Sequence, residues 1–226
     1  MILQIETATT VCSVALANQG KILAVKQLNE RNVHAEAITL FIQDVLNEAG
    51  VKYKDLHAVA VSCGPGSYTG LRIGVSTAKG LCFALDVPLI AIETLEAMAY
   101  GIIASKQYSD ILLCPMIDAR RMEVYTALYD LAGNPVEAVS AKIIDENSFA
   151  EQLAHQRILF FGDGAGKCEA VLGANVNALF MPDFVNSAVH LTQKAFEKYQ
   201  QQQFEDVAYF EPHYLKEFIP GVKKQV

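Results

Sequence analysis

The stretch from Val59 to Leu85 constrains this chain more than any other. Val59-Ala60-Val61-Ser62 is an apolar, β-branched run, Cys63-Gly64-Pro65-Gly66-Ser67-Tyr68-Thr69-Gly70 gathers three glycines and a proline, and Leu71 to Leu85 is apolar and of helix length. That order reads as a strand, a tight turn and a buried helix. The turn stands at a helix N-terminus, where unpaired N–H groups and the helix dipole favour an anion and glycines admit close approach. Neither common phosphate loop fits. A P-loop closes with Gly-Lys-Ser or Gly-Lys-Thr, whereas Gly70 is followed by Leu71 and Arg72, and the dinucleotide fingerprint needs a glycine where Thr69 stands. The turn is open to two readings, a plain connection or an anion site using Gly64, Gly66, Ser67, Thr69 and Arg72.

The helix that follows has only Arg72, Ser76, Thr77 and Lys79 as clearly polar side chains, so most of its circumference must be covered. Gly70, Gly74 and Ala78, four residues apart, form a small-residue stripe for close packing, with the chain's own core as the default cover and another subunit as the alternative.

With 226 residues, 52% of them hydrophobic, a mean hydropathy of +0.22 and 19% charged residues, the chain can bury a sizeable core in one large or two small domains. Its net charge of -7 and pI near 5.2 argue against strong autonomous binding of nucleic acid, an affinity that comes largely from Lys and Arg on phosphates. Met1 to Thr7 lacks the basic start and long apolar core of a signal peptide, and charges interrupt the most apolar region, so a cytoplasmic protein without a membrane span is expected. The five cysteines (Cys12, Cys63, Cys82, Cys114, Cys168) include no C-x-x-C pair, which suits reduced core thiols.

In chain order, Met1 to Gln27 reads as a three-stranded meander turning at Asn18-Gln19-Gly20-Lys21. His34 to Ala49 is an amphipathic helix stopped by Gly50, and after the central stretch come a strand at Pro88 to Ile92 and a helix from Thr94 to about Ser105. From Ile111 the order begins again. Strands are expected at Ile111 to Ile117, Met122 to Tyr129 and Val136 to Ile144, a helix around Glu146 to His155, a strand at Arg157 to Phe161 and a helical Lys167 to Leu172. The chain thus divides into residues 1–108 and 109–226, two α/β lobes of order βββαβα with the second eroded, and each first strand ends at an acid, Glu6 and Asp118. A last helix from Ser187 to Gln202 precedes a tail, expected to be mobile, that ends in Lys223-Lys224-Gln225-Val226.

The duplicated unit resembles the ribonuclease-H-like domains of the actin, hexokinase and Hsp70 ATPase superfamily. Within it, Ile2 to Leu16, Gly64 to Gly74 (Gly-Pro-Gly-Ser-Tyr-Thr-Gly-Leu-Arg-Ile-Gly) and Asp118 to Tyr125 (Asp-Ala-Arg-Arg-Met-Glu-Val-Tyr) resemble the TsaB family, formerly YeaZ. The resemblance implies a bacterial subunit for making threonylcarbamoyladenosine in tRNA, non-catalytic itself, that supports a TsaD-type transferase, with a TsaE-type ATPase in the same complex and tRNA reached only through it. It also implies that the helices at His34 to Ala49 and Leu71 to Leu85 form the partner surface, with Ala35, Ile38, Ile42, Gly70, Ile73, Gly74 and Thr77 as candidates, and that the lone chain pairs with itself as a homodimer.

The catalytic relative carries a metal-binding H-x-x-x-H that falls here on Thr94 and Met98, a poor pair of ligands. The superfamily's phosphate turn, acid-x-Gly-Thr, has become Glu6-Thr7-Ala8-Thr9, with a methyl where a phosphate would approach the backbone. No cofactor of its own is expected. ATP or ADP with magnesium at a subunit interface would use Glu6, Thr9 and Asp118 beside the glycine loop. The rival reading is an autonomous ATPase or small-molecule kinase.

Overall fold

The computed structural model describes residues 1–216, so the lysines near the C-terminal end lie outside the described residues. β1 (Ile2–Glu6), β2 (Val11–Asn18) and β3 (Lys21–Asn29) form the meander, α1 (His34–Glu48) crosses over, and β4 (Ala58–Ser62) returns parallel to β1 with Ile2 opposite Ala58. α2 (Tyr68–Leu85), β5 (Leu89–Ile92) and α3 (Thr94–Ser105) complete the first lobe, whose sheet runs β3-β2-β1-β4-β5. The second lobe repeats the order with β6 (Ile111–Asp118), β7 (Glu123–Tyr129), β8 (Pro135–Ile143), α4 (Ala150–His155), β9 (Arg157–Phe161), α5 (Glu169–Leu172) and β10 (Ala178–Met181) in a sheet β10-β9-β6-β7-β8. The fold is α/β with two lobes. None of the described helices is long and apolar enough to cross a membrane.

The second lobe keeps all five strands and loses helix. β10, four apolar residues between Asn177 and Pro182 that the sequence reading leaves unassigned, pairs parallel with β9 as β5 does with β4. Where a helix is expected around Glu146 to His155, α4 has six residues, because Asp145 and Ser148 bond each other's side chains and backbone in a local turn that competes with helix start. The counterpart of α2 is a 3-10 turn at Gly166–Cys168 followed by four-residue α5. The expected helix from Ser187 likewise divides, into a 3-10 turn at Ala188–Leu191 and α6 (Thr192–Gln200).

β1 is buried on both faces. Leu3 and Ile5 join the core under α1 and α2, while Ile2, Ala58, Ala60, Ile90 and Ile92 pack against Leu191 and Ala195 of the C-terminal segment. The polar row of β1 and β2 shows where that segment docks: Gln4 Oε1 accepts from Thr192 Oγ1 at 2.9 Å and Ser13 Oγ from the Ala188 amide at 3.0 Å. α3 forms the wall between lobes, with Leu95, Met98 and Ile102 on the second sheet at Ile111, Leu113 and Phe161.

Glu6, at the end of this row, is completely buried. Its Oε1 accepts from the Ala8 amide at 2.6 Å, and its Oε2 has no hydrogen-bond partner among the described residues. Burial pushes its carboxyl up to about 7, the Ala8 amide and the nearby Ser62 and Asn186 side chains offsetting only part of the shift.

α2 begins three residues before the apolar run does, because Ser67 caps it by accepting from the Gly70 amide at 3.2 Å. The small stripe faces inward. A Cβ on Gly70 would lie 2.1 Å from the Thr7 carbonyl oxygen and one on Gly74 2.2 Å from Thr7 Oγ1, while Ala78 is fully buried. The default cover was the right one. Four of the seven partner candidates are therefore corrected to core: Gly70 and Gly74 seat the first turn, and Ile38 and Ile42, each 2% exposed, fill the space between α1 and the sheet. Ala35, Ile73 and Thr77 keep some exposure.

Two outcomes follow from this packing. Gly80 of α2 has open space where its Cβ would be, so Gly80→Ala should raise stability by up to about 1 kcal/mol, whereas Gly70→Ala should cost at least about 2 kcal/mol by forcing the Thr7 backbone off the helix; urea unfolding of both variants checks the contrast. The second concerns Glu6, whose folded pKa near 7 exceeds the ordinary value of 4.5. Its contribution is full below pH 4.5 and lost as pH rises through 7, a penalty approaching about 3 kcal/mol in the buried anion's disfavour. Glu6→Gln should flatten that decline, and parallel pH profiles of unfolding that do not differ between native and variant would contradict it.

Candidate functional site: the interlobe cleft

A cleft of about 840 Å³ opens between the lobes, bounded by the first turn at Ala8 to Thr10, the loop from Pro65 to Gly70, the β6–β7 turn at Asp118 to Arg120, and the C-terminal residues His213 to Lys216. His34 fixes one wall. Its Nε2 lies 3.0 Å from the Thr9 carbonyl and 3.2 Å from that of Val11, so the start of α1 is tied to the first turn.

The glycine loop meets protein at every close approach. The Ser67 amide donates to the Ala8 carbonyl at 2.7 Å, and a Cβ on Gly66 would stand 2.4 Å from that same oxygen. Gly64, at φ +122°, lies against the His213 carbonyl, where a Cβ would come within 2.3 Å, and the His213 amide donates to the Cys63 carbonyl at 2.7 Å. Of the two sequence readings the plain connection describes Gly64 and Gly66: the absent side chains admit backbone, and the first turn is closed where a superfamily ATPase would cradle phosphate.

The remaining candidates separate. Gly66, Ser67, Thr69, Thr9 and Asp118 line the cleft, whereas Glu6 lies beneath the first turn and Gly64 beneath the C-terminal strap. Arg72 stacks over the Tyr68 ring at 4.2 Å, and its Nε donates to Tyr214 Oη at 3.3 Å. Asp118 is exposed, accepts from the Arg120 amide at 3.0 Å and is paired with Lys167. Glu6 and Asp118 thus do not converge, and among the described residues no group of three or more His, Cys, Asp or Glu side chains is placed to hold a metal ion. A magnesium nucleotide fits these residues poorly. The position of the relative's histidines is also filled, since Thr94 is fully buried and the Met98 methyl packs where a Cβ on Gly162 would stand 2.6 Å away.

The cysteines offer no nucleophile. All five are buried, and burial pushes the thiol of Cys63 up to about 12 and those of Cys12 and Cys82 up to about 11, with nearby Glu93 adding to the first and Glu6 to the second.

Sequence reasoning missed the strap. From Glu205, whose amide donates to the Leu89 carbonyl at 2.9 Å, the chain runs over α2, where Lys79 Nζ donates to the carbonyls of Ala208 and Phe210. Tyr214 then packs on Tyr68 with centroids 4.7 Å apart, and Lys216 crosses to Glu123 of the second lobe. Its signal in the sequence is the short run Glu211-Pro212-His213-Tyr214-Leu215, which gives no location. Arg31, Tyr125 and Tyr214 line the cleft with the strap, and of these Arg31 carries no mark in the sequence.

The family model described as TsaD, tRNA N6-adenosine threonylcarbamoyltransferase, matches residues 22–212. A protein of Escherichia coli named tRNA threonylcarbamoyladenosine biosynthesis protein TsaB is 41% identical over 135 residues, 60% of this chain and 57% of that protein, so the match spans little more than half of that relative's length. The crystal structure of YeaZ from Pseudomonas aeruginosa superposes with a TM-score of 0.80 at 28% identity, covering 95% of this chain and 99% of that one. Component A of the (R)-2-hydroxyglutaryl-CoA dehydratase from Acidaminococcus fermentans, at a TM-score of 0.52 and 11% identity over 87% of this chain and 98% of that one, shares the two-lobed fold alone. The chain belongs to the TsaD family of the matching model, on its TsaB (YeaZ) side.

Proposed function

We propose that the chain is a non-catalytic subunit in the making of threonylcarbamoyladenosine in tRNA, and that it docks a TsaD-type transferase through the outer faces of α1 and α2. The name of the Escherichia coli relative supports the pathway. The observation that carries the docking is the outer face of α2. Ile73, Thr77, Gly80 and Ala84 recur at helical spacing there, with Phe83 beside them 85% exposed and Leu40 of α1 59% exposed. A side chain the size of Phe83 left in water forgoes about 2–3 kcal/mol of burial, and Gly80 leaves room for a partner helix beside it. Of the sequence candidates, Ala35, Ile73 and Thr77 belong to this surface. The same face on a second copy would serve an isologous homodimer when the transferase is absent. A TsaE-type ATPase would join through the assembled pair.

The rival, an autonomous ATPase or small-molecule kinase, needs an open phosphate turn, and Ser67 and Gly66 stand on that turn instead. Chemistry is left to the transferase.

Absolute mass by light scattering tests the reading, on the chain alone and mixed with the TsaD-type protein of the same genome. A homodimer that exchanges into a mixed complex is expected. Phe83→Asp should weaken both pairings by at least about tenfold without loss of fold, since the side chain is exposed in the lone chain. A native chain that shows no mass increase with the transferase, or a variant that pairs as the native does, would overturn the proposal.

A further inference from the structure

The chain is acidic overall, yet the mouth of its cleft is not. Arg31, Arg120 and Lys216 line it, with Arg121 beside Arg120 at the tip of the β6–β7 hairpin. The lining acids are Asp118, already paired with Lys167, and Asp163, whose Oδ1 accepts from the Asp118 amide at 3.0 Å. Five lysines elsewhere or on the strap have carboxylate partners, Lys26, Lys142, Lys167, Lys194 and Lys216. Among the described residues, Arg31, Arg120 and Arg121 have none and are exposed. Two unpaired guanidinium groups, those of Arg31 and Arg120, thus line one cleft, with Arg121 next to Arg120 in the hairpin loop.

The hairpin tip adds a second, independent observation. Its backbone closes with Ala119 N to Glu123 O and Glu123 N to Arg120 O, each 3.1 Å, and places Arg120 at φ +72° and Arg121 at φ +50°. The loop has three residues, Arg120 to Met122, since Ala119 pairs with Glu123, and its first two are left-handed, a conformation that Gly and Asn adopt with less strain than arginine. Arginine is disfavoured at each position, and among the described residues neither side chain makes a hydrogen bond, ring contact or ion pair that would offset it. Tyr125 and Tyr214 line the same cleft.

We infer that the mouth of the interlobe cleft, at Arg31, Arg120, Arg121 and Lys216, contacts the phosphate backbone of an RNA. Guanidinium groups pair bidentately with phosphate, and unpaired arginines on an otherwise acidic body supply local attraction without the net charge for tight binding by the chain alone. The contact therefore operates within an assembly, and in naming an RNA it rests on the function proposed above. A free nucleotide would seek the first turn, which is closed; the arginines stand outside it.

The test replaces Arg120→Asn and Arg121→Gly together, which removes both charges and puts residues tolerant of a left-handed backbone at both positions. Stability to urea should hold or rise. In the mixed complex with the TsaD-type transferase, tRNA affinity should fall at least about tenfold, and the slope of log affinity against log salt should shrink by about 2. Lys54→Glu, at the opposite end of β4, should change neither. An unchanged affinity and salt slope in a complex of native mass would overturn the inference and leave the proposed function standing. Competition for the same arginines by ATP but not by tRNA, read as protection from phenylglyoxal by mass spectrometry, would also overturn it in favour of a nucleotide. Were no mixed complex to form, the proposed function would fail first, and the same protection assay on the chain alone with tRNA at low salt would decide the RNA contact by itself.

Discussion

The contact between Thr7 and the glycine stripe of α2 sets the rest of the structure. Because Gly70 and Gly74 bring the helix axis down onto the Thr7 carbonyl and hydroxyl, the first turn cannot open toward solvent, and the loop ahead of the helix must fold over Ala8. Three other features follow. Glu6 is sealed beneath the turn, His34 is drawn in to bond the Thr9 and Val11 carbonyls, and the strap finds Gly64 bare enough to lie against. A methyl group at Gly70 would meet the Thr7 backbone, which no rotamer change can clear, and one at Gly74 would displace the Thr7 hydroxyl.

This arrangement turns a site of ligand approach into one of protein packing. In a phosphate cradle, glycines expose N–H groups to an anion; here the Ser67 amide is spent on the Ala8 carbonyl and the Gly64 backbone is covered. What remains free on α2 is its other side, where Gly80 and Phe83 face outward. A helix that is apolar on most of its circumference thus has two faces: the small residues hold the chain's own first turn, and the outer ones, Gly80, Phe83 and Ala84, stay exposed. The cleft keeps a polar, arginine-bearing mouth over a closed floor.

Much of the fold was legible because local signals agreed with it. The Gln19-Gly20 turn, the α1 stripe ending at Gly50 and the apolar run of β4 each carry their own boundary marks. β10 did not, because what makes it a strand is its pairing with β9, a tertiary contact, and α4 was shortened by an Asp145–Ser148 turn whose side-chain bonds are visible only in three dimensions. The candidate site was legible by residue type and not by direction. Gly70 and Gly74 were found by spacing, but spacing is the same for a stripe facing inward or outward, and Ile38 and Ile42 lie on a face whose sense only the sheet settles. Gln4 and Ser13, polar positions within β1 and β2, receive Thr192 and Ala188, contacts far along the chain that no local pattern announces. The strap that walls the cleft was unreadable for the same reason.

The most direct test of the central claim, that the first turn is closed by protein, is calorimetric titration of the isolated chain with ATP and magnesium. The account predicts no binding heat with a dissociation constant tighter than about 1 mM, the weak limit of a specific site. Magnesium-dependent binding in the micromolar range would show that the Thr7–Thr10 turn opens to phosphate, and would contradict the closed-turn account.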